Sequence, residues 1–336
     1  MRLVNLTRKT NRMLADGPFA EALREFGELE VHAPAIHLDE AEQTALIRSA
    51  DVLLTMWDSL PVPAAVIADP GRLRYVCNIT GSLRGWVPLA LVERGIPVTN
   101  WGDAPAQGVA EAAVTLLLSC LKDVVWHHQE VAASQTGERH TGWHRGGTLD
   151  GLVVGVYGLG VIGRAFVRMI QPFNPVILGF DPYVAAADWP AGVARVNSLE
   201  ALCRQSQAIS LHAGLSEETR GAVSRELLAL LPDGGVVVNT ARGGLIDQEA
   251  LFAELATGRL RAGLDVLDGD DALAPGHPAR QWPNLLWTRH FLADRGALTA
   301  TGLESMHRIC LDNLARFRDG RPLRFTFDRE RWLRST

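Results

Sequence analysis

Leu152-Val153-Val154-Gly155-Val156-Tyr157-Gly158-Leu159-Gly160-Val161-Ile162-Gly163 is the stretch that decides the fold of this chain. Six residues with the composition of a buried strand run directly into a Gly-x-Gly-x-x-Gly turn, and residues 164–170 continue as a helix. Strand, glycine turn and helix in that order open a dinucleotide-binding βαβ unit. Gly158 permits the tight turn, Gly160 lets the backbone approach a pyrophosphate, and Gly163 lets helix and strand pack closely. Leu159, Val161 and Ile162 complete the expected phosphate-binding backbone, because the first N–H groups of a helix have no internal partner and carry the positive end of its dipole. The next apolar run, 176–180, ends at Asp181, 23 residues beyond Gly158. That is close to the spacing of about 20 expected for the acid that binds an adenosine ribose 2′-hydroxyl. A carboxylate there repels a 2′-phosphate, so the expected cofactor is NAD (NADH), with NADP disfavoured.

Outward from this unit the chain alternates strand-like and helix-like segments. Expected strands are 152–157, 176–180, 208–211, 235–239, 262–264 and 285–287, with helices near 161–173, 199–204, 224–230 and 248–257. The first hundred residues alternate in the same way, with strands at 3–6, 28–32, 51–56 and 73–78. Such alternation predicts α/β architecture with parallel sheets covered on both faces. Between the two series lies an apolar segment, 106–133, expected to be one long helix at a domain bridge or subunit interface. The loop 134–150 is expected at the surface, and a last helix over about 296–318 is expected to return the chain to the first domain.

The composition excludes several classes. At 336 residues the chain fits two domains, and its 47% hydrophobic and 21% charged residues are those of a globular protein. A net charge of −5 gives no reason to expect nucleic acid or an anionic membrane as partner. The four cysteines have no metal or redox spacing and read as free thiols in a reducing compartment. Without a signal-like start or a membrane-length apolar run, a cytoplasmic location is expected.

The run Val237-Val238-Asn239-Thr240-Ala241-Arg242-Gly243-Gly244-Leu245-Ile246-Asp247 resembles a signature of the D-isomer-specific 2-hydroxyacid dehydrogenases. Arg94–Asn100, Val109-Ala110-Glu111 and Leu264-Asp265-Val266 agree with it, in the family's order, so that the resemblance covers about 72–322. It implies two doubly wound parallel-sheet domains: a Rossmann NAD-binding domain over 101–294, inserted into a flavodoxin-like substrate domain made of 1–100 and 295–336. It also implies a homodimer and a small 2-oxo or 2-hydroxy acid as substrate. Arg242 then holds the carboxylate and carbonyl oxygens with its planar fork. His290 aligns with the family's acid/base histidine. His212, Thr240, Ala241 and Asp265 fall at the cofactor pocket, and no metal is implied.

Four departures from the family pattern matter. The glutamate expected to orient the histidine is Asp270 here, one methylene shorter, with Asp268 and Asp271 beside it as substitutes. The proline before the histidine is Arg289, followed by Phe291-Leu292-Ala293-Asp294-Arg295 in place of small residues. The spacing from Gly258 to Asp265 is one residue short. The substrate loop reads Thr80-Gly81-Ser82-Leu83-Arg84, in which Ser82 and Leu83 are the expected carboxylate donors and Arg84 is either a second anion site or a surface pair. Trp57, Trp86 and Trp101 fall in or near loops beside the expected substrate site. Other readings of the same scaffold are a phosphite-type or formate-type dehydrogenase, or an NAD-sensing corepressor-like protein. A formate enzyme would carry glutamine at 270, and a corepressor would need an added binding surface beyond the short basic tail 325–336, which is expected to pack on the fold.

Overall fold

The structure, a computed structural model, describes residues 1–9, 12–32, 34, 37–133, 146–269, 273–292 and 303–335. The chain divides into two compact units, Met1–Pro105 with Arg295–Thr336, and Ala106–Asp294.

In the first unit, strands β1 (Arg2–Leu6), β2 (Glu28–His32), β3 (Val52–Thr55), β4 (Tyr75–Asn78) and β5 (Val98–Thr99) form one parallel sheet in the order β2-β1-β3-β4-β5. This is the flavodoxin-like order. All residues of β3 and β4 are buried, as unbroken apolar runs covered on both faces must be. The helix Glu40–Ser49 starts at a full capping box, with the Asp39 carboxylate taking the Glu42 N–H and Glu42 reaching back to the Asp39 N–H. Helix Ser305–Arg318 brings Cys310 and Leu314 against Leu3, Tyr75 and Cys77 in the core. The tail behind it packs on the same unit: Thr326 bridges Thr99, Phe327 is buried, and the Trp332 indole N–H donates to the Val87 carbonyl (3.0 Å).

In the second unit, β6 (Val153–Tyr157), β7 (Val176–Phe180), β8 (Val193–Arg195), β9 (Ala208–Leu211), β10 (Val236–Asn239), β11 (Arg261–Leu264) and β12 (Leu285–Trp287) form a parallel sheet in the order β12-β11-β10-β9-β6-β7-β8. The chain leaves β6 in one direction through β7 and β8, then resumes on its other side with β9, so the topological switch lies between β6 and β9. Registers align the last residues of six strands in one row: Phe180, Tyr157, Leu211, Asn239, Leu264 and Trp287. In an open α/β sheet, ligands bind beyond this carboxyl edge at the switch.

The apolar segment after residue 105 is two helices, Ala106–Leu121 and Val124–Ala133. Asp123 breaks them by taking a left-handed backbone (φ 48°), which aspartate tolerates better than most residues, and its carboxylate receives Arg261 (3.2 Å). The first helix is apolar because Ala110, Ala113, Leu116, Leu117 and Leu121 are buried in the core of this unit with Val154, Val156 and Phe166. The short edge strands β5 and β8 were not among the expected elements. All four cysteines are buried free thiols. No helix among the described residues is long and apolar enough to cross a membrane.

Candidate active site

The loops that carry the described candidate site residues of the second unit leave the aligned row of strand ends. After β6, Gly158 turns at φ 92°, and a Cβ there would lie 2.6 Å from the Ala213 nitrogen. A Cβ on Gly163 would lie 2.0 Å from the Gly158 carbonyl oxygen, so only glycine lets the helix Val161–Ile170 sit this close to its strand. At Gly160, the N-cap of that helix, nothing lies within 4 Å of the Cβ position. Two glycines are thus required by packing, and the middle one faces open space over a helix N-terminus. This arrangement fits a pyrophosphate.

After β7, Asp181 is held by the backbone on both sides. Its carboxylate accepts the Leu159 N–H (2.8 Å) and the Tyr183 N–H (2.8 Å). The acid is therefore fixed against the glycine turn. After β9, His212 lies beneath the same turn, with its ring 4.9 Å from Phe166 and its Nε2 sharing a hydrogen bond with Ser210 Oγ (2.9 Å). Burial pushes its imidazole down to about 3, so it is neutral at physiological pH. Among the described residues its Nδ1 and the Thr240 hydroxyl are buried polar atoms without a partner, two orphaned groups beside the glycine turn and β10.

After β10 comes the loop that carries Arg242. Asn239, fully buried, shapes it from both ends: its amide donates to the Arg242 carbonyl (2.9 Å) and its oxygen accepts the Ala241 N–H (3.0 Å). Gly243 and Gly244 let this loop lie against the next one, since a Cβ on Gly243 would meet the Leu267 carbonyl carbon at 1.9 Å. The Arg242 guanidinium, half-buried, donates to the Ala241 carbonyl (2.6 Å).

Asp265 and His290 follow β11 and β12. Asp265 is buried, and its Oδ1 accepts the Thr288 hydroxyl (2.6 Å) and the Leu292 N–H (3.1 Å), while its carbonyl accepts the His290 N–H. One buried aspartate thus anchors the loop on which His290 stands. His290 is exposed, and it and Arg289 both have left-handed backbones (φ 63° and 54°). Asp268 sits with its N–H on Gln248 (2.8 Å) and its carboxylate 3.7 Å from Arg220. Asp270 and Asp271 lie outside the described residues, as do 134–145 and 293–302.

The candidate loop of the first unit follows β4. Buried Asn78 organises it as Asn239 organises the other: its amide donates to the carbonyls of Thr80 (2.6 Å) and Ser82 (3.0 Å), and its oxygen accepts the Trp86 indole N–H (3.0 Å). The Leu83 side chain is fully buried in the core, so only its backbone is open to a substrate role. Trp57, 48% exposed, stands edge-on to Trp101 (5.5 Å), and Gly81 leaves no room for a Cβ against the Trp101 indole (2.5 Å). Among the described residues, Arg84 stacks over Trp332 (5.0 Å) and donates to the Ser335 carbonyl (3.2 Å). Asn78, Asn239 and Thr288 escaped the sequence reading; the available signal for the two asparagines was a single amide closing an apolar strand.

The model of the D-isomer specific 2-hydroxyacid dehydrogenase NAD-binding domain matches residues 114–291, which include the glycine turn, Asp181, Arg242, Asp265 and His290. The chain belongs to the D-isomer specific 2-hydroxyacid dehydrogenase family. A D-3-phosphoglycerate dehydrogenase of Methanocaldococcus jannaschii is 33% identical over 270 residues, 80% of this chain and 50% of that protein. A hydroxypyruvate reductase of Thermotoga maritima is 33% identical over 242 residues, 72% of this chain and 76% of that protein. The chain therefore spans half the length of the first relative and about three quarters of the second. Among solved structures, an acyclic imino acid reductase in complex with NADPH and D-Arg superposes with a TM-score of 0.79 at 22% identity, covering 98% of this chain and 100% of that one; at that identity it attests the fold alone. As a member of this family, the chain has a nicotinamide dinucleotide as the cofactor of its Ala106–Asp294 unit.

Proposed function

We propose that this protein is an NAD-dependent oxidoreductase that interconverts a 2-oxo acid and the corresponding D-2-hydroxy acid, with Arg242 and His290 as its catalytic residues. The observation that carries the reading is the register of β10, β11 and β12. It sets the loops bearing Arg242 and His290 on strands either side of β11, beyond the same edge as the glycine turn. At about 4.8 Å per strand, those two loops start about 10 Å apart, within reach of one small acid through an arginine and a histidine side chain.

The dinucleotide supplies or accepts the hydride when bound. Arg242 binds the carboxylate and polarises the 2-oxo group, and its fixed fork disfavours other orientations. His290 protonates the oxygen at the 2-position during reduction and takes that proton back during oxidation. Asp265 holds the His290 loop in place, and Thr240, Ala241 and His212 line the cofactor. Asp270 is the proposed carboxylate partner of His290. On the first unit, Ser82 and Leu83 are the proposed donors to the substrate carboxylate, Leu83 through its N–H. The two backbone anchors on Asp181 support NAD over NADP, because they hold a negative charge where a 2′-phosphate would have to sit.

The test is NADH oxidation across a panel of 2-oxo acids, among them glyoxylate, hydroxypyruvate and phenylpyruvate. Turnover of at least one is expected; tight NADH binding with no turnover of any would sink the assignment. Arg242→Ala should lower kcat/KM by about 10²–10³-fold and His290→Gln by about 10²–10⁴-fold, each with NADH affinity within about twofold. If Arg242→Ala loses NADH binding as well, its substrate role is wrong.

A further inference from the structure

The loop after β4 is tied down through its carbonyl oxygens. Those of Thr80 and Ser82 accept the Asn78 amide, and that of Leu83 accepts the N–H groups of Trp86 (3.1 Å) and Val87 (2.8 Å). The Gly81 oxygen accepts the Asn100 amide (3.1 Å). Among the described residues, nothing accepts the N–H groups of Gly81, Ser82 and Leu83. Carbonyls held and successive N–H groups left over make a concavity suited to an anion. Both ends of this loop lead to the C-terminal tail. Asn100, which holds Gly81, is itself held: its Oδ1 accepts the Arg331 guanidinium (3.2 Å) and the Gly102 N–H (3.0 Å). Arg331 is half-buried, lies over the Phe327 ring (4.5 Å) and donates to the Thr326 carbonyl (2.9 Å). At the other end, the Trp332 indole donates to the Val87 carbonyl and carries the stacked Arg84. The tail is in turn fixed to the sheet, with the Phe327 N–H donating to the Val98 carbonyl (2.8 Å).

We propose that the tail 326–335 sets the affinity for the 2-oxo acid, with Arg331 and Trp332 as positioning residues that hold the loop 80–84 in the shape that binds the substrate carboxylate. The inference rests on the assignment of that loop to the substrate. Arg331 acts through Asn100 on the Gly81 end, and Trp332 acts through Arg84 and Val87 on the other. The carboxylate keeps its charge while hydride moves to the neighbouring carbon. A loop that grips it less well therefore weakens ground state and transition state alike. Such a loss appears in KM and leaves kcat in place. A variant that merely folds less completely behaves in the opposite way: fewer active molecules lower kcat, and KM stays where it was.

Steady-state kinetics of the whole protein with glyoxylate, hydroxypyruvate and phenylpyruvate at saturating NADH test this. Arg331→Ala and Trp332→Ala should each raise KM about five- to tenfold, and Arg84→Ala about threefold. In all three, kcat and the calorimetric Kd for NADH should stay within about twofold of the unaltered protein. Arg331→Lys, which keeps a donor for Asn100, should recover part of the loss, and Trp332→Phe, which keeps a ring beneath Arg84, should be milder than Trp332→Ala. Adding Arg84→Ala to Trp332→Ala should raise KM little further, because the two share one stack, whereas Arg84→Ala and Arg331→Ala should multiply. Should Trp332→Ala fail to fold, Arg84→Ala, at an exposed residue, tests that end of the loop. Turnover with KM unchanged in Arg331→Ala, or in the variant that tests the Trp332 end, overturns the inference and leaves the oxidoreductase reading standing. A fall in kcat without a rise in KM makes the tail structural only and overturns it too. An unaltered protein that turns over none of the acids fails the oxidoreductase reading, and the inference falls with it.

Discussion

At position 289 the backbone turns to φ 54°, and His290 follows at φ 63°. Two successive left-handed residues without glycine store about 1–3 kcal/mol each, and here they aim the candidate acid/base residue from a loop anchored on buried Asp265. Proline is locked near φ −65°, so the path of this loop is closed to the residue that the family carries before its histidine. Restoring that residue should therefore harm the protein. Arg289→Pro is expected to lower kcat at least tenfold and stability by about 1–3 kcal/mol, while Arg289→Gly, which accepts positive φ, should retain stability. Steady-state kinetics and urea denaturation of the two variants check this; a proline variant as active and stable as the parent contradicts the left-handed path. Residues like Asp181 and Arg242 were legible because each follows an apolar strand, and an α/β sheet places such positions at the ligand edge. Arg84 was not legible. Its partners, Trp332 and Ser335, lie about 250 residues further along, and no local pattern announces a stack between such distant segments.

Elements were legible where burial sets a period and obscure where a single residue decides. Strands β3, β4, β9 and β10 are wholly buried apolar runs, whereas β5 and β8 have two and three residues and too little pattern to read. The break at Asp123 has no glycine or proline to mark it, and the salt bridge to Arg261 that rewards it is a tertiary contact. The helix Ser305–Arg318 carries an element-scale consequence of its own. Its N-terminus is closed by His307, whose Nδ1 accepts the Glu304 N–H (3.1 Å) while its ring stacks on Phe19 (4.1 Å). Accepting that bond requires the neutral imidazole, and burial pushes the group down to about 4 from 6.5. Between those values the unfolded chain binds a proton that the folded chain refuses. Stability should therefore be full above about pH 6.5 and fall by up to about 3 kcal/mol as the pH drops towards 4. His212, held down in the same way, acts in the same direction. Urea denaturation at about pH 7 and about pH 5 should show a smaller loss in His307→Gln than in the parent; equal losses would assign the acid sensitivity elsewhere.

On the scale of the whole chain, the two alternating series were enough to call for two parallel sheets, because successive strands joined by helices cross over with one handedness and stack side by side. Composition did not say which unit holds the cofactor; the glycine turn and Asp181 did, and both belong to Ala106–Asp294. A ligand that binds only the folded form adds RT ln(1 + [L]/Kd) to stability, about 2.7 kcal/mol at one hundred times Kd. For a unit of this size that is a rise of about 5–10 °C in the transition where it unfolds. Scanning calorimetry should show this rise in Tm with NADH, and show it equally in Arg242→Ala, since that side chain is assigned to the substrate and not to the dinucleotide. In Gly163→Ala the methyl group would meet the Gly158 carbonyl, so the transition should start lower and move less with NADH. A Gly163→Ala variant that melts and responds as the parent does would show that the close approach of helix and strand is not what shapes the pyrophosphate site.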